Sequence, residues 1–199
     1  MPRKARAYII ARGLLYHIVC RGNNQRKIFR ASRDYKKMLS ILKETKKKNP
    51  FYLYVYSLMP NHYHLAMETK EVPISKIMHQ INNDYVKFFR HRYKGSGHLF
   101  EGRYFAKVID KDAYLWELGR YIDLNAVRAR LVRNPQDYHW SSYQVYLNKD
   151  YDNHLVNRDL FLGYLNDDLE KARVSYIEFV EEGLLEYKAI PFPITKKMI

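Results

Sequence analysis

The chain has 199 residues, 47% of them hydrophobic and 15% aromatic, which suits one full core and excludes an intrinsically disordered chain. Its formal net charge is +14, and the excess is regional: residues 1–149 carry 29 basic and 11 acidic side chains, residues 150–199 carry 6 and 10. Charge segregated this way suits a polyanion, nucleic acid above all, and is unlike an enzyme of small metabolites.

Cys20 is the single cysteine, so no intrachain disulfide forms, and its apolar setting in Tyr16–Cys20 reads as core. No apolar run reaches the length of about 18 residues that a membrane-spanning helix needs. The basic N-terminus is followed by no apolar signal core, so a cytoplasmic protein is expected.

Met1–Arg12 is a basic arm. Leu14 to Arg21 is the first predicted strand, with Tyr16, Ile18 and Cys20 on one face and Leu15, His17 and Val19 on the other. Arg21–Lys27 is a polar turn of cations and amides, fit to reach phosphates and base edges. A helix is predicted over Arg33–Lys48, capped by Ser32 or Asp34, with Tyr35, Met38, Leu39 and Leu42 inward. Phe51 to Leu58 reads as a strand with Tyr52, Tyr54 and Tyr56 on one face and Leu53, Val55 and Ser57 on the other. Pro60-Asn61 turns the chain, and His62 to Met67 returns as the hairpin partner. A second helix opens at Pro73 or Ser75 and runs to Tyr93, with a cationic end at Lys87, Arg90, Arg92 and Lys94. Residues 94–105 are glycine-punctuated and irregular, and lack the Gly-Lys-Ser/Thr ending of a P-loop. Phe105 to Ile109 is a fourth strand. A third helix follows over Ala113–Ala129, capped by Asp110 or Asp112.

Strand, helix, strand, strand, helix, strand is a split βαβ order, so the fold expected is α+β and ferredoxin-like, with an antiparallel sheet. Its helices are expected on one face, leaving the other open to a ligand. Beyond it, Leu131–Trp140 connects to a short helical segment at Trp140–Tyr143, Asp150–Val156 reads as a linker, and Leu160–Tyr187 as acidic helix. The division expected is a domain over residues 1–149 and a helical C-terminal extension over 150–199.

Two places carry chemistry. His62 and His64 are i, i+2 on a strand and project side by side, with Tyr63 and Leu65 on the packing face. Paired imidazoles there are either satisfied by hydrogen bonds or hold a metal ion. Tyr121 and Asn125 are i, i+4 on a helix and present to one spot, although a lone helical tyrosine is more often a core residue.

The phrases Arg21-Gly22-Asn23-Asn24, Leu58-Met59-Pro60-Asn61-His62, Gly97–Arg103, Arg120-Tyr121-Ile122-Asp123-Leu124-Asn125 and Trp140-Ser141-Ser142-Tyr143 follow one another in that order. With His62-Tyr63-His64 they resemble the single-tyrosine HUH transposases, in particular the REP-associated tyrosine transposases, over roughly residues 8–147. The resemblance implies a ferredoxin-like fold, His62, His64 and Asn125 as ligands of Mg²⁺ or Mn²⁺, and Tyr121 as the nucleophile. It implies cleavage of single-stranded or hairpin DNA through a 5′-phosphotyrosine, with joining by the reverse step. Proline commonly follows the asparagine in that family, where this chain has Ala126. Tyr114 is a competing nucleophile two turns earlier. Expected DNA contacts are Arg3, Arg6, Arg21, Asn23, Asn24, Arg26, His98 and Arg103. The protein is expected as a monomer or homodimer away from membranes. A catalytically inactive nucleic-acid binder of the same fold is the first rival, and a metal-dependent hydrolase the second.

Overall fold

The computed structural model describes residues 13–109, 111–148, 150–151, 154–164 and 166–189. Four strands, β1 (Leu15–Arg21), β2 (Phe51–Met59), β3 (His62–Thr69) and β4 (Phe105–Ile109), form one antiparallel sheet in the order β2-β3-β1-β4. With α1 (Ser32–Lys48) after β1 and α2 (Ile74–Tyr93) after β3, this is the split βαβ topology. β1 and β3, which carry His17, His62 and His64, lie at the centre of the sheet.

One face is built as the alternation predicts. Tyr16, Ile18 and Cys20 of β1 join Tyr63, Leu65 and Met67 of β3 under Met38, Leu42, Ile77, Ile81 and Tyr85 of the two helices. Asp34 ties those helices together. It does not serve as N-cap, the position being held by Ala31. Instead its carboxylate, fully buried, accepts the backbone N–H groups of Arg30 (2.8 Å) and Ala31 (3.0 Å) and the Tyr93 hydroxyl (2.7 Å), and pairs with Arg92 Nε at 3.3 Å. α2 begins behind Pro73, whose fixed φ of −65° suits a helix entry.

The other face departs from expectation: it is not left open. α3 (Lys111–Asp123), α4 (Asn125–Arg128), α5 (Tyr143–Leu147), α6 (Arg158–Gly163) and α7 (Leu169–Ala189) follow the sheet strands in sequence, and a second core forms between them and Leu15, Tyr54, Val55 and Ala66. Phe161, Leu162, Ala172, Tyr176, Val180 and Leu184 therefore share a core with the sheet. Leu155, in the stretch expected as linker, is buried, and its carbonyl accepts Lys46 Nζ at 2.6 Å. The single helix expected over Leu160–Tyr187 is two, α6 and α7.

β2 also departs from plain alternation. A bulge sets Tyr54 and Val55 together opposite Ala66, because pairing steps from Leu53↔Met67 to Val55↔Ala66. Tyr54 and Val55 both enter the second core, and Tyr56 returns to the first with Leu53 and Leu58. The extra residue puts Ser57 and Met59 opposite His64 and His62. The outer edge of β2 is closed by bonds from Leu58 N to Trp140 O and from Ser142 N to Tyr56 O, both 2.9 Å. No described helix is long and apolar enough to cross a membrane.

Replacing Asp34 by alanine strands two backbone donors and an arginine at the α1–α2 junction, and is expected to lower stability by about 2–4 kcal/mol. Urea unfolding of the variant beside the parent chain checks this; an unchanged midpoint would refute it.

Candidate active site

β1 and β3 set the site through their register. Val19 lies opposite His64 and Arg21 opposite His62, so His17, Val19, Arg21, His62 and His64 share the face on which α3 lies. His17 and His64 stack, ring centroids 5.2 Å apart, and His17 Nε2 meets His64 Nδ1 at 3.0 Å. His62 stands across from His64 at 5.0 Å between centroids. The side-chain oxygen of Asn61 can only accept, so the 2.7 Å contact places the proton on His62 Nδ1 and leaves Nε2 a lone pair. Asn61 is held in turn: its carbonyl accepts Gly22 N–H, and the carbonyl of Pro60 accepts those of Ile28 and Phe29.

The imidazoles are neutral at physiological pH. Burial, then Lys107, brings His17 down to about 4; burial, then Arg21, brings His62 to about 4. His64, 3% exposed, is held well below its usual value by burial, then by His62, His17 and Arg21.

Tyr121 arrives from α3. Its ring meets His17 at 5.7 Å and His64 at 5.8 Å, edge-on to both, and stays 40% exposed. Arg128, two turns on, lies 5.1 Å over the same ring. A cavity of about 620 Å³ is lined by His17, Val19, Arg21, His64, Tyr121 and Phe105, and on the strand-end side by Glu101, Gly102 and Arg103. His62 opens on a smaller neighbouring recess that shares Arg21 and Glu101. Tyr114, 61% exposed, lines neither.

The helix carrying Tyr121 is shorter than the Ala113–Ala129 expectation. It breaks at Leu124, where ψ is −2°, and α4 begins at Asn125. Asn125 Nδ2 donates to the Tyr121 carbonyl at 3.2 Å, so the amide stays beside the tyrosine but does not line the cavity. The expected caps of this helix, Asp110 and Asp112, lie outside the described residues and side chains.

α3 is fixed from behind by α7. Gly119 lets the helices approach: a Cβ there would stand 2.6 Å from the Tyr176 hydroxyl and 2.9 Å from the Phe161 ring. Asp123, two residues past Tyr121, is fully buried and accepts the Tyr176 hydroxyl at 2.7 Å. Burial pushes its carboxyl up to about 8 against the pull of that bond. Arg120 lies 3.9 Å over the Phe179 ring.

The expected DNA contacts fall in three groups. Arg3 and Arg6 lie outside the described residues. Arg21 ends β1, and Asn23, Asn24 and Arg26 lie in the loop after it, where Asn24 and Gln25 take left-handed φ of 50° and 56°. His98 and Arg103 lie on a strap, residues 95–104, which runs beside that loop through Asn23 N to Leu99 O (2.9 Å) and Glu101 N to Arg21 O (3.0 Å). Gly22 is obligatory at this crossing, since a Cβ would collide with the Arg26 carbonyl. Both groups stand at the histidine end of the sheet.

Sequence reasoning missed His17, Glu101, Phe105 and Arg128. Arg128 was within reach, being i+7 from Tyr121 on a helical period. His17 was placed on its correct strand face, but only the β1–β3 register shows that this face is the one of His64.

Among the described residues no three histidine, cysteine, aspartate or glutamate side chains gather to hold a metal ion. His62 and His64 do fit such a role as a pair: both are neutral, both lie on one strand face, and His62 keeps a free Nε2.

The family model "Transposase IS200 like" matches residues 11–125. The chain belongs to that family, and is a transposase. Among solved structures, that of a REP-associated tyrosine transposase bound to a REP hairpin superposes with a TM-score of 0.62 at 15% identity, covering 75% of this chain and 86% of that one. It has the same fold. A transposase structure from Deinococcus radiodurans R1 gives a TM-score of 0.42 at 16% identity over 69% and 95% of the two chains, too distant to bear on the site. No curated protein sequence matches.

Gly119→Val would force α3 off α7 and is expected to cost about 1–3 kcal/mol by overpacking. Thermal unfolding followed by circular dichroism checks it; an unshifted transition would mean that the close approach is not required.

Proposed function

We propose that this transposase cleaves and rejoins single-stranded DNA at hairpin sequences through a covalent link to Tyr121, with His62 and His64 as the residues that hold a divalent cation, Mg²⁺ or Mn²⁺. The observation that carries this reading is the edge-on packing of an exposed tyrosine against His17 and His64 in a basic cavity. Family membership and the likeness to a protein bound to a REP hairpin support the choice of DNA.

The chain's residues divide the work. Arg21 and Arg103 attract the phosphate backbone into the cavity, and the exposed Phe105 ring offers a stacking surface for a base. The Tyr121 oxygen attacks phosphorus; its bond to phosphorus forms as the bond to the 3′ oxygen breaks. The phenol proton passes to solvent, and the leaving oxygen takes up a proton as a 3′-hydroxyl. A bound cation would supply polarisation of a non-bridging phosphate oxygen. The phosphotyrosine conserves the diester's free energy, so a second 3′-hydroxyl can reverse the step onto a new strand. Arg128 over the Tyr121 ring restrains the side chain, and the hydrogen bond from Asn125 keeps its amide one turn from the nucleophile.

Incubation with single-stranded hairpin oligonucleotides and Mn²⁺, followed by a denaturing gel, should show a protein–DNA adduct. Tyr121→Phe should reduce it at least ~10³-fold while DNA affinity stays within about threefold, since phosphate contacts carry binding. EDTA should abolish the adduct. Binding without any adduct would favour the inactive-binder reading; cleavage without an adduct would favour a hydrolase.

His17 deserves its own variant. His17→Phe keeps a ring in the stack but removes the nitrogen facing His64, so Mn²⁺ affinity measured by calorimetry should fall about tenfold or more, with the far-ultraviolet spectrum unchanged. Equal affinity would mean that His64 needs no orienting partner.

A further inference from the structure

A second cleft, of about 560 Å³, lies between α2 and the strap, and the catalytic cavity does not use it. Its floor is apolar: it is lined by Met78, Leu99, Phe100 and Tyr104, all buried. Its rim is cationic and polar. Arg90 donates to the Gly97 carbonyl at 3.1 Å, holding the strap, and Asn83 meets His79 at 2.7 Å.

The two cavities adjoin. Gly102 and Arg103 line both, so the strap is the ridge between them. Nothing lies within 4 Å of the position where a Cβ of Gly102 would stand, so the ridge at that point is bare backbone beside a guanidinium. A polyanion leaving the catalytic cavity over this ridge meets Arg103 as it crosses and Arg90 beyond. An apolar floor under a rim of amide, imidazole and guanidinium groups has the chemistry of a base site: the floor takes the apolar surface of the base, and polar groups take its edge. The volume falls within the range of small-ligand sites, about 300–1,000 Å³.

We propose that this cleft is a nucleobase subsite, which seats one unpaired base of the DNA strand a few nucleotides from the phosphate at Tyr121 and thereby contributes to the choice of cleavage position. The subsite rests on the reading of the protein as a single-strand DNA transferase. Continuity with the catalytic cavity and the sign of the rim charge select single-stranded DNA as its occupant. A double-stranded stem keeps its bases stacked and has none to insert.

The test uses the full chain, a pool of randomised single-stranded oligonucleotides with 5-iodouracil in place of thymine, and ultraviolet light. Peptide mass spectrometry maps the crosslinks, and the Tyr121 adduct is scored in the same samples. Crosslinks to Phe100, Tyr104 or His98 are expected. The exposed-helix variant Asn83→Glu, which sets a negative charge at the rim, should reduce them about tenfold. Crosslinks confined to residues of the catalytic cavity and the β1 loop would overturn the subsite. So would strap crosslinks that Asn83→Glu leaves unchanged. The adduct separates the two readings: its presence without strap crosslinks removes only the subsite, whereas its absence removes the cleavage reading.

Discussion

Tyr121 meets His17 and His64 edge-on, and these ring contacts fix how near a side chain on a helix stands to imidazoles on the sheet. Aromatic pairs of this kind contribute about 0.5–1.5 kcal/mol each beyond the area they bury. Ordering a helix costs about 1–2 kcal/mol per residue in backbone entropy, so the rings alone cannot hold α3 in place. The remainder comes from its other side, where Leu115, Leu118 and Ile122 bury against Phe161, Tyr176 and Val180.

The C-terminal residues are therefore part of how the site is made. α7 is acidic only outwardly: Tyr176, Val180 and Leu184 face the core, while Glu178, Glu181, Glu182 and Glu186 are exposed. Its inward face supplies the hydroxyl for Asp123 and the ring under Arg120, within one turn of Tyr121 on either side. The basic and acidic regions of the sequence meet there, Arg120 pairing with Glu186 at 4.0 Å.

Much of this was legible. The periods of β1, β3 and α1 gave their inward faces, and β4 was bounded at both ends. What escaped detection involves residues far apart in sequence. The bulge at Tyr54 has no local signal, because Tyr-Leu-Tyr-Val-Tyr alternates cleanly; only its pairing with β3 reveals two residues opposite Ala66. The second face seemed free because six elements already complete a ferredoxin-like sheet, and nothing local shows that α6 and α7 fold back over it. The break at Leu124 falls inside an apolar period that continues through Val127. His17 was visible as a strand histidine, yet its meeting with His64 depends on a register set by residues some 50 positions away.

Of the 19 tyrosines in the chain, Tyr121 packs edge-on against His17 and His64. The measurement that addresses this most directly is tandem mass spectrometry of the peptide left attached to DNA after proteolysis of the reacted protein. The account predicts a nucleotide joined through phosphate to Tyr121, on the peptide that also contains Asp123 and Asn125. Attachment at Tyr114, or at any residue outside the cavity, would contradict it.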